Sequence, residues 1–286
     1  PDERSIAARP SGGHGGHRTE PLPLPPGRVH AELTGRAHLT IERVGVVGFG
    51  LMGSGIAQVC AQAGFDVLVR EIEQRFIDRG FERVDASLAR IVKAGKLSEA
   101  DAKAARGRIR STLALADFAA RDLVIEAVVE EISAKKAVFG ELDRACPPAT
   151  IFASNTSSLT IVEMAAATSR PDRFAGLHFF NPAPVMPLVE IVRAITTSDA
   201  TIETLQAFVA RLGKTGVVCK DTPGFIVNRL MVPYLLSAIR ALEQGVATAE
   251  EIDTAVKLGL RHPMGPFELL DYTGIDINLN VANIFY

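Results

Sequence analysis

The sequence predicts an α/β protein: a mostly parallel sheet covered by helices on both faces, followed by an all-α segment. Three observations predict it. Short apolar runs alternate with helical stretches from Ile41 to about Asp221. The first of these runs leads straight into a glycine-rich turn, "GFGLMGSG". Beyond Asp221 the strand-length runs stop and helical patterns remain. The chain therefore divides into a disordered tail over residues 1–40, a sheet domain over 41–221 and a helical domain over 222–286.

Each element has a local reason. "RVGVVGF" is apolar on both faces, as a buried parallel strand is. "MGSGIAQVCAQAG" reads as a helix ended by Gly64, and "DVLVRE" as the second strand. A long helical region runs from about Glu73 to Arg106, interrupted near Gly95. "DLVIEAVVE" reads as a strand, and "EISAKKAVFGELDRAC" as a helix stopped by Pro147 and Pro148. "TIFASNT", "RFAGLHFF", "PLVEIV" and "GVVCKD" complete the strands. "PGFIVNRLMVPYLLSAIRALEQG" reads as one long helix from near Pro223 to Gly245, kinked at Pro233. In "TAEEIDTAVKLG", Thr248 and Glu251 form a capping-box pattern and Gly259 closes the helix. "HPMGPFELLDYTG" is a Pro/Gly-rich link and a short helix.

Bulk composition narrows the function classes. The net charge of −2 gives no whole-chain attraction to nucleic acid or to an anionic membrane. No apolar run is long enough to span a bilayer. Cys60, Cys146 and Cys219 are scattered and lack metal-ligand spacing, so no metal site is expected and the thiols fit a reducing, cytoplasmic compartment. The tail, with "PSGGHGGHRTEPLPLPPG", has no periodicity; His14 and His17 offer at most weak metal binding. It lacks the apolar core of a secretory signal, and Asp2, Glu3, Glu20 and Glu32 argue against a transit peptide. The chain begins at Pro1 rather than Met, as a processed chain or a fragment does.

The glycine-rich turn carries the first chemistry. Gly48-x-Gly50-x-x-Gly53 follows a strand and opens a helix, the context that a dinucleotide site requires. The first glycine permits the tight turn, the second lets a pyrophosphate approach, and the third lets helix and strand pack closely. Leu51 and Met52 lie on the same loop and are counted with it as cofactor-binding. Glu71, at the tip of the second strand, is the acid that holds ribose hydroxyls in such sites. Its carboxylate would repel a 2′-phosphate and so favours NAD over NADP; Arg70 beside it pulls the other way. The domain is thus expected to be Rossmann-type.

His178 and Glu190 are twelve residues apart, each in an apolar run, with Pro182, Pro184 and Pro187 between them. Two neighbouring strand ends joined by the "NPAPVMP" turn would bring them together. A carboxylate on one imidazole nitrogen fixes the tautomer and stabilises the imidazolium, leaving the other nitrogen as a general base for an alcohol. A core histidine beside a strand-end charge has the same spacing.

Other polar residues sit in apolar settings. Ser154, Asn155, Ser157 and Ser158 follow a strand, where they either line the ligand crevice or cap the next helix. Asn228, in the first turns of an apolar helix, either reaches into that crevice or caps locally. From Arg90 to Arg110, seven basic residues stand against two acidic ones: a solvated face, or a place to meet a phosphorylated substrate.

Together the segments "GFGLMGSGIAQV", "EAVVE", "IFASNTSSL", "RFAGLHFFNPAPVMPLVEIV", "CKDTPGFIVNRLMVPYL" and "HPMGPFELLDYTGID" closely resemble the L-3-hydroxyacyl-CoA dehydrogenase family, which includes 3-hydroxybutyryl-CoA dehydrogenases. The resemblance runs from about Val44 to about Asp276 and implies reversible oxidation of the 3-hydroxyl of an acyl-CoA with NAD, an activity of fatty-acid β-oxidation. It implies that His178 is the catalytic base, that Glu190 orients it, and that Ser157 and Asn228 bind the substrate's oxygen functions. Asn181 lines the same site, Glu71 holds the adenine ribose, and Glu130 and Lys135 contact the nicotinamide side. Ser87 matches a CoA contact; the family's CoA lysine falls at Ala94, leaving Lys93 and Lys96 on either side as candidates. The resemblance also implies a homodimer through the helical domain, and further helix after Tyr286, so that this domain reads as truncated. Two other readings are a dehydrogenase of a free hydroxy or sugar acid and a non-catalytic NAD-binding fragment.

Overall fold

The computed structural model describes residues 40–285, all within one compact unit. The predicted tail, with His14 and His17, lies outside the described residues. The elements run β1 (Arg43–Val47), α1 (Leu51–Gln62), β2 (Asp66–Arg70), α2 (Gln74–Lys93), α3 (Glu99–Gly107), β3 (Ile109–Thr112), β4 (Leu123–Glu126) and α4 (Ile132–Ala145). They continue with β5 (Ile151–Ser154), α5 (Ile161–Ala165), β6 (Phe174–Phe179), β7 (Leu188–Arg193), α6 (Asp199–Arg211) and β8 (Thr215–Lys220). The helices α7 (Val227–Glu243), α8 (Ala249–Leu260), α9 (Pro266–Thr273) and α10 (Ile275–Phe285) are the last elements of the described residues.

The eight strands form one sheet in the order β3-β2-β1-β4-β5-β6-β7-β8. Every neighbouring pair is parallel except β6–β7. The expected α/β architecture, with helices alone after β8, is therefore present. Alternate residues of the inner strands feed two cores. Val44, Val46, Leu123, Ile125 and Leu177 pack with α1, α2, α3 and α6 on one face. Val47, Val124, Phe152, Phe174 and Val192 pack with α4 and α5 on the other. The strand order reverses between β1 and β4, which is where an open sheet of this kind leaves its ligand crevice.

Four boundaries differ from the sequence reading, each for a physical reason. The edge strand β3 has only Ile109 buried, so its "IRST" carries no apolar run to announce it. The "DLVIEAVVE" strand stops at Glu126, because that carboxylate accepts a bond from the Val128 amide and turns the chain. α7 begins at Val227 rather than near Pro223: Gly224 and Phe225 take positive φ values of +73° and +52° first. α8 runs one residue past Gly259, and Arg261 closes it in the left-handed region. The capping box of Thr248 and Glu251 forms as expected.

The nucleotide loop shows why glycine is needed. Gly48 has φ of +92°, and a Cβ at Gly53 would lie 1.8 Å from the Gly48 carbonyl oxygen. Gly53→Ala should therefore force the loop off the helix. Urea unfolding should show a loss of about 1–3 kcal/mol, typical of overpacking. A midpoint equal to the parent's would mean that the close approach is not required.

Candidate active site

The site collects at the carboxyl ends of the strands. In the cofactor half, Glu71 reaches across from β2 to the loop after β1: its Oε1 accepts from the Phe49 amide at 2.6 Å and its Oε2 from the Ile72 amide at 3.2 Å. Arg70 turns to the end of β3, where its Nε donates to the Leu113 carbonyl at 3.3 Å. Around Gly50 nothing would lie within 4 Å of an added Cβ, so the backbone there is open to a ligand. The positive φ of Gly48, the close Gly53 packing, the open Gly50 and the carboxylate at the β2 tip together fit a dinucleotide such as NAD.

A buried polar network fixes the next wall. Glu126, fully buried at the end of β4, accepts from Lys135 Nζ at 2.7 Å, Ser154 Oγ at 2.6 Å and the Val128 amide at 2.6 Å. Lys135 also pairs with Glu130 Oε2 at 3.1 Å. Glu130 Oε1 accepts from Thr156 Oγ1 at 2.5 Å, the Ser157 amide at 3.0 Å and Ser158 Oγ at 3.3 Å. Burial alone would raise the Glu130 pKa; Lys135 and these donors outweigh that and hold it below the usual carboxylate range. Glu130 is the half-open member of the network, whereas Lys135 is sealed behind it with 1% exposure. The structure thus gives the two residues different jobs: Glu130 faces the loop "NTSSL", and Lys135 holds Glu130 and Glu126 together. Ser154, Ser158 and Thr156 are spent on this network, and Asn155 Oδ1 accepts from the Phe179 amide at 2.9 Å. Ser157 joins this network through its amide, not its hydroxyl.

The antiparallel pairing of β6 and β7 sets His178 directly opposite Glu190. Opposed residues of such a pair present their side chains on the same face. His178 Nδ1 lies 2.7 Å from Glu190 Oε2. Glu190 Oε1 accepts from the amides of Ile226 and Val227, at 3.0 and 2.9 Å, where α7 begins. Both side chains are buried, at 5% and 0% exposure. Burial would push the Glu190 pKa up; the His178 and amide hydrogen bonds outweigh it and hold the carboxyl low. An ionised Glu190 requires Nδ1 to be the donor, and in the neutral imidazole that leaves Nε2 with its lone pair. Among the described residues nothing bonds Nε2, and it is not sealed in the core. The rings of Phe180 and Phe225 flank the imidazole, with centroids at 4.5 and 5.5 Å. The left-handed Phe225 backbone is a strained conformation that places this ring.

Asn228, on the first turn of α7, approaches the Ser157 carbonyl through Nδ2 at 3.5 Å. It therefore meets the "NTSSL" loop, and Ser157, Asn228 and the His178–Glu190 pair share one end of the sheet. Beside them lies a cleft of about 450 Å³ between α1, α2 and the turn after β6. Ser87 and Asn181 line it, as do Arg83 and Arg90. Lys93 does not: it faces α3 on another side of α2, six residues and most of two turns from Ser87. Lys96 lies beyond the end of α2 and is absent from the cleft lining. The cationic groups beside Ser87 are thus the two arginines, one helical turn before and after it, a spacing readable from the sequence once Ser87 is placed on the cleft face. Glu126 was also overlooked, although a carboxylate inside the apolar "LVIEAVV" is itself a signal.

Among the described residues no group of His, Cys, Asp and Glu is arranged to hold a metal, and no helix is long and apolar enough to cross a membrane.

Comparison with known proteins agrees with the geometry. Residues 43–222 match the family described as "3-hydroxyacyl-CoA dehydrogenase, NAD binding domain", and residues 224–286 match "3-hydroxyacyl-CoA dehydrogenase, C-terminal domain". The chain is 52% identical over 238 residues to a 3-hydroxybutyryl-CoA dehydrogenase of Mycobacterium tuberculosis, covering 82% of this chain and 83% of that protein. It is 44% identical over 248 residues to a probable 3-hydroxybutyryl-CoA dehydrogenase of Bacillus subtilis, covering 87% and 86%. The crystal structure of (S)-3-hydroxybutyryl-CoA dehydrogenase PaaH1 from Ralstonia eutropha superposes with a TM-score of 0.84 at 44% identity, covering 86% of this chain and 87% of that one.

The lowered Glu190 pKa gives a signed prediction. Stability from its ionised, bonded form is fully present above the unfolded glutamate value of about 4.3 and is lost as pH falls through the folded value. Urea unfolding from pH 7 to pH 3 should show the advantage of the parent over Glu190→Gln shrinking once the pH drops below about 4.3. An advantage constant with pH would mean that Glu190 is not a stabilised carboxylate.

Proposed function

The chain belongs to the 3-hydroxyacyl-CoA dehydrogenase family, and we propose that it catalyses the reversible NAD-dependent oxidation of the 3-hydroxyl of a short-chain (S)-3-hydroxyacyl-CoA, with the His178–Glu190 pair as the acid/base that moves the proton. The observation that carries the catalytic reading is the 2.7 Å contact between His178 Nδ1 and a buried, ionised Glu190, with Nε2 left open. Nε2 takes the proton of the 3-hydroxyl as general base and returns it in the reductive direction. Glu190 keeps the tautomer and stabilises the imidazolium while that proton is held. Ser157 and Asn228, side by side at the crevice, bind the substrate's oxygen functions. The glycine loop and Glu71 would hold the pyrophosphate and adenine ribose of NAD, which when bound would supply the hydride acceptor. Glu130 borders the nicotinamide side, held in place by Lys135.

The substrate handle is read from the cleft. Ser87, Arg83 and Arg90 offer a hydroxyl and two guanidinium groups to the phosphates of CoA. The short chain length follows from the relatives being 3-hydroxybutyryl-CoA dehydrogenases. A homodimer through the helical segment is supported by the apolar groove between α7, α9 and α10 and by exposed Leu230, Leu258, Leu260 and Leu279. The three free thiols support a reducing compartment, the cytoplasm.

An NADH-formation assay on (S)-3-hydroxyacyl-CoAs of increasing length, beside free 3-hydroxybutyrate, tests the substrate reading. Turnover of the CoA thioesters, best at the shortest lengths, is expected; turnover of the free acid alone would overturn it. His178→Ala should lower kcat by about 10²–10⁴-fold and leave NAD affinity nearly unchanged. An unaltered rate would remove His178 from its role.

A further inference from the structure

Lys214 lies in the turn between α6 and β8, behind the wall of the cleft. Its ammonium donates to the carbonyl oxygens of Ala183 and Met186, at 2.7 Å each. Both carbonyls belong to the turn that joins β6 to β7. That turn is poor in donors of its own, since Pro182, Pro184 and Pro187 have no N–H. Its internal bonds are those of the Val185 and Met186 amides to the Pro182 carbonyl. Carbonyls left inside a half-buried turn need outside donors. Lys214 supplies two, and its charge is met by carbonyl dipoles rather than by a carboxylate.

The clamped segment is also the substrate wall. Asn181, Pro182, Ala183 and Pro184 line the cleft across from Ser87. The wall rests on the cofactor helix: a Cβ at Gly55 of α1 would lie 3.1 Å from the Ala183 Cβ. Moving Ala183 therefore changes the width of the cleft. It does not break the β6–β7 ladder, which holds His178 opposite Glu190 by its own register.

We infer that Lys214 is a positioning residue for substrate binding: it clamps the proline-rich turn and presets the Asn181–Pro184 wall against which the acyl-CoA lies. The inference rests on the reading that this cleft takes the acyl-CoA. The clamp acts on the wall and not on the base, so its loss should weaken substrate capture and spare the chemical step.

The test compares the parent with Lys214→Met and Lys214→Arg, by steady-state kinetics with (S)-3-hydroxybutyryl-CoA and NAD and by amide hydrogen exchange of the folded protein. In Lys214→Met, exchange at Val185 and Met186 should rise about tenfold or more while α1 is unchanged. KM for the acyl-CoA should rise about tenfold, with kcat and the KM for NAD within about twofold of the parent. Lys214→Arg, which keeps the donors and the charge, should recover most of the KM. Exchange at the turn equal to the parent's, or a fall in kcat without a change in acyl-CoA KM, would overturn the proposal. If Lys214→Met does not fold, Lys214→Gln, with one amide donor, takes its place with the same expectations. If the parent turns over no acyl-CoA, the substrate reading fails by itself; the exchange comparison still decides whether Lys214 clamps the turn.

Discussion

The structure depends most on one buried negative charge, the carboxylate of Glu190. It ties together three separate pieces of chain: β7 that carries it, the imidazole of β6, and the two amides that open α7. A carboxylate taken out of water is costly unless it is fully hydrogen-bonded, and here it has three donors. Each piece is placed by that need. The antiparallel step from β6 to β7 puts His178 opposite it, which a parallel crossover would not do with so short a connection. The delayed start of α7 frees the Ile226 and Val227 amides for it. The same helix start then sets Asn228 against Ser157.

The cofactor half follows the same logic with a different charge set. Glu126 and Glu130 share Lys135; the Val128 amide joins Lys135 on one Glu126 oxygen, and the other oxygens of the pair are taken up by Ser154 and the "NTSSL" loop. The loop after β4 is thereby locked to the loop after β5, on the side of the crevice next to the glycine turn. Buried ion pairs of this kind add little net stability, but breaking one partner leaves an uncompensated charge. Their effect here is to fix geometry: the Ser157 amide and the Thr156 and Ser158 hydroxyls are held on Glu130.

Much of this was legible in the sequence, and the reasons differ by residue. The glycine loop and Glu71 were readable because their chemistry is local in the chain. His178 and Glu190 were readable as a pair because a proline-rich turn lies between two apolar runs; the register that sets them face to face is a property of the sheet and was not. The β3 strand was hidden because an exposed edge need not be apolar. Lys93 lies on another face of α2 from Ser87 because helical geometry separates residues six apart, whereas Arg83 and Arg90 share the face with Ser87. Lys214, in "RLGKTG", looks like any solvated surface charge, since its partners are backbone carbonyls about 30 residues away. Lone carbonyls leave no trace in a sequence.

The most direct test of the account is the protonation state of the imidazole. ¹⁵N NMR of the free enzyme, at a pH at which the imidazole is neutral and with His178→Ala to assign the signals, reads both ring nitrogens. The account predicts a protonated Nδ1, with its proton shifted downfield by Glu190, and an unprotonated Nε2 ready to take the alcohol's proton. An Nε2–H tautomer with a bare Nδ1 would contradict it, because Glu190 would then have no donor on the ring and the base would face the wrong way.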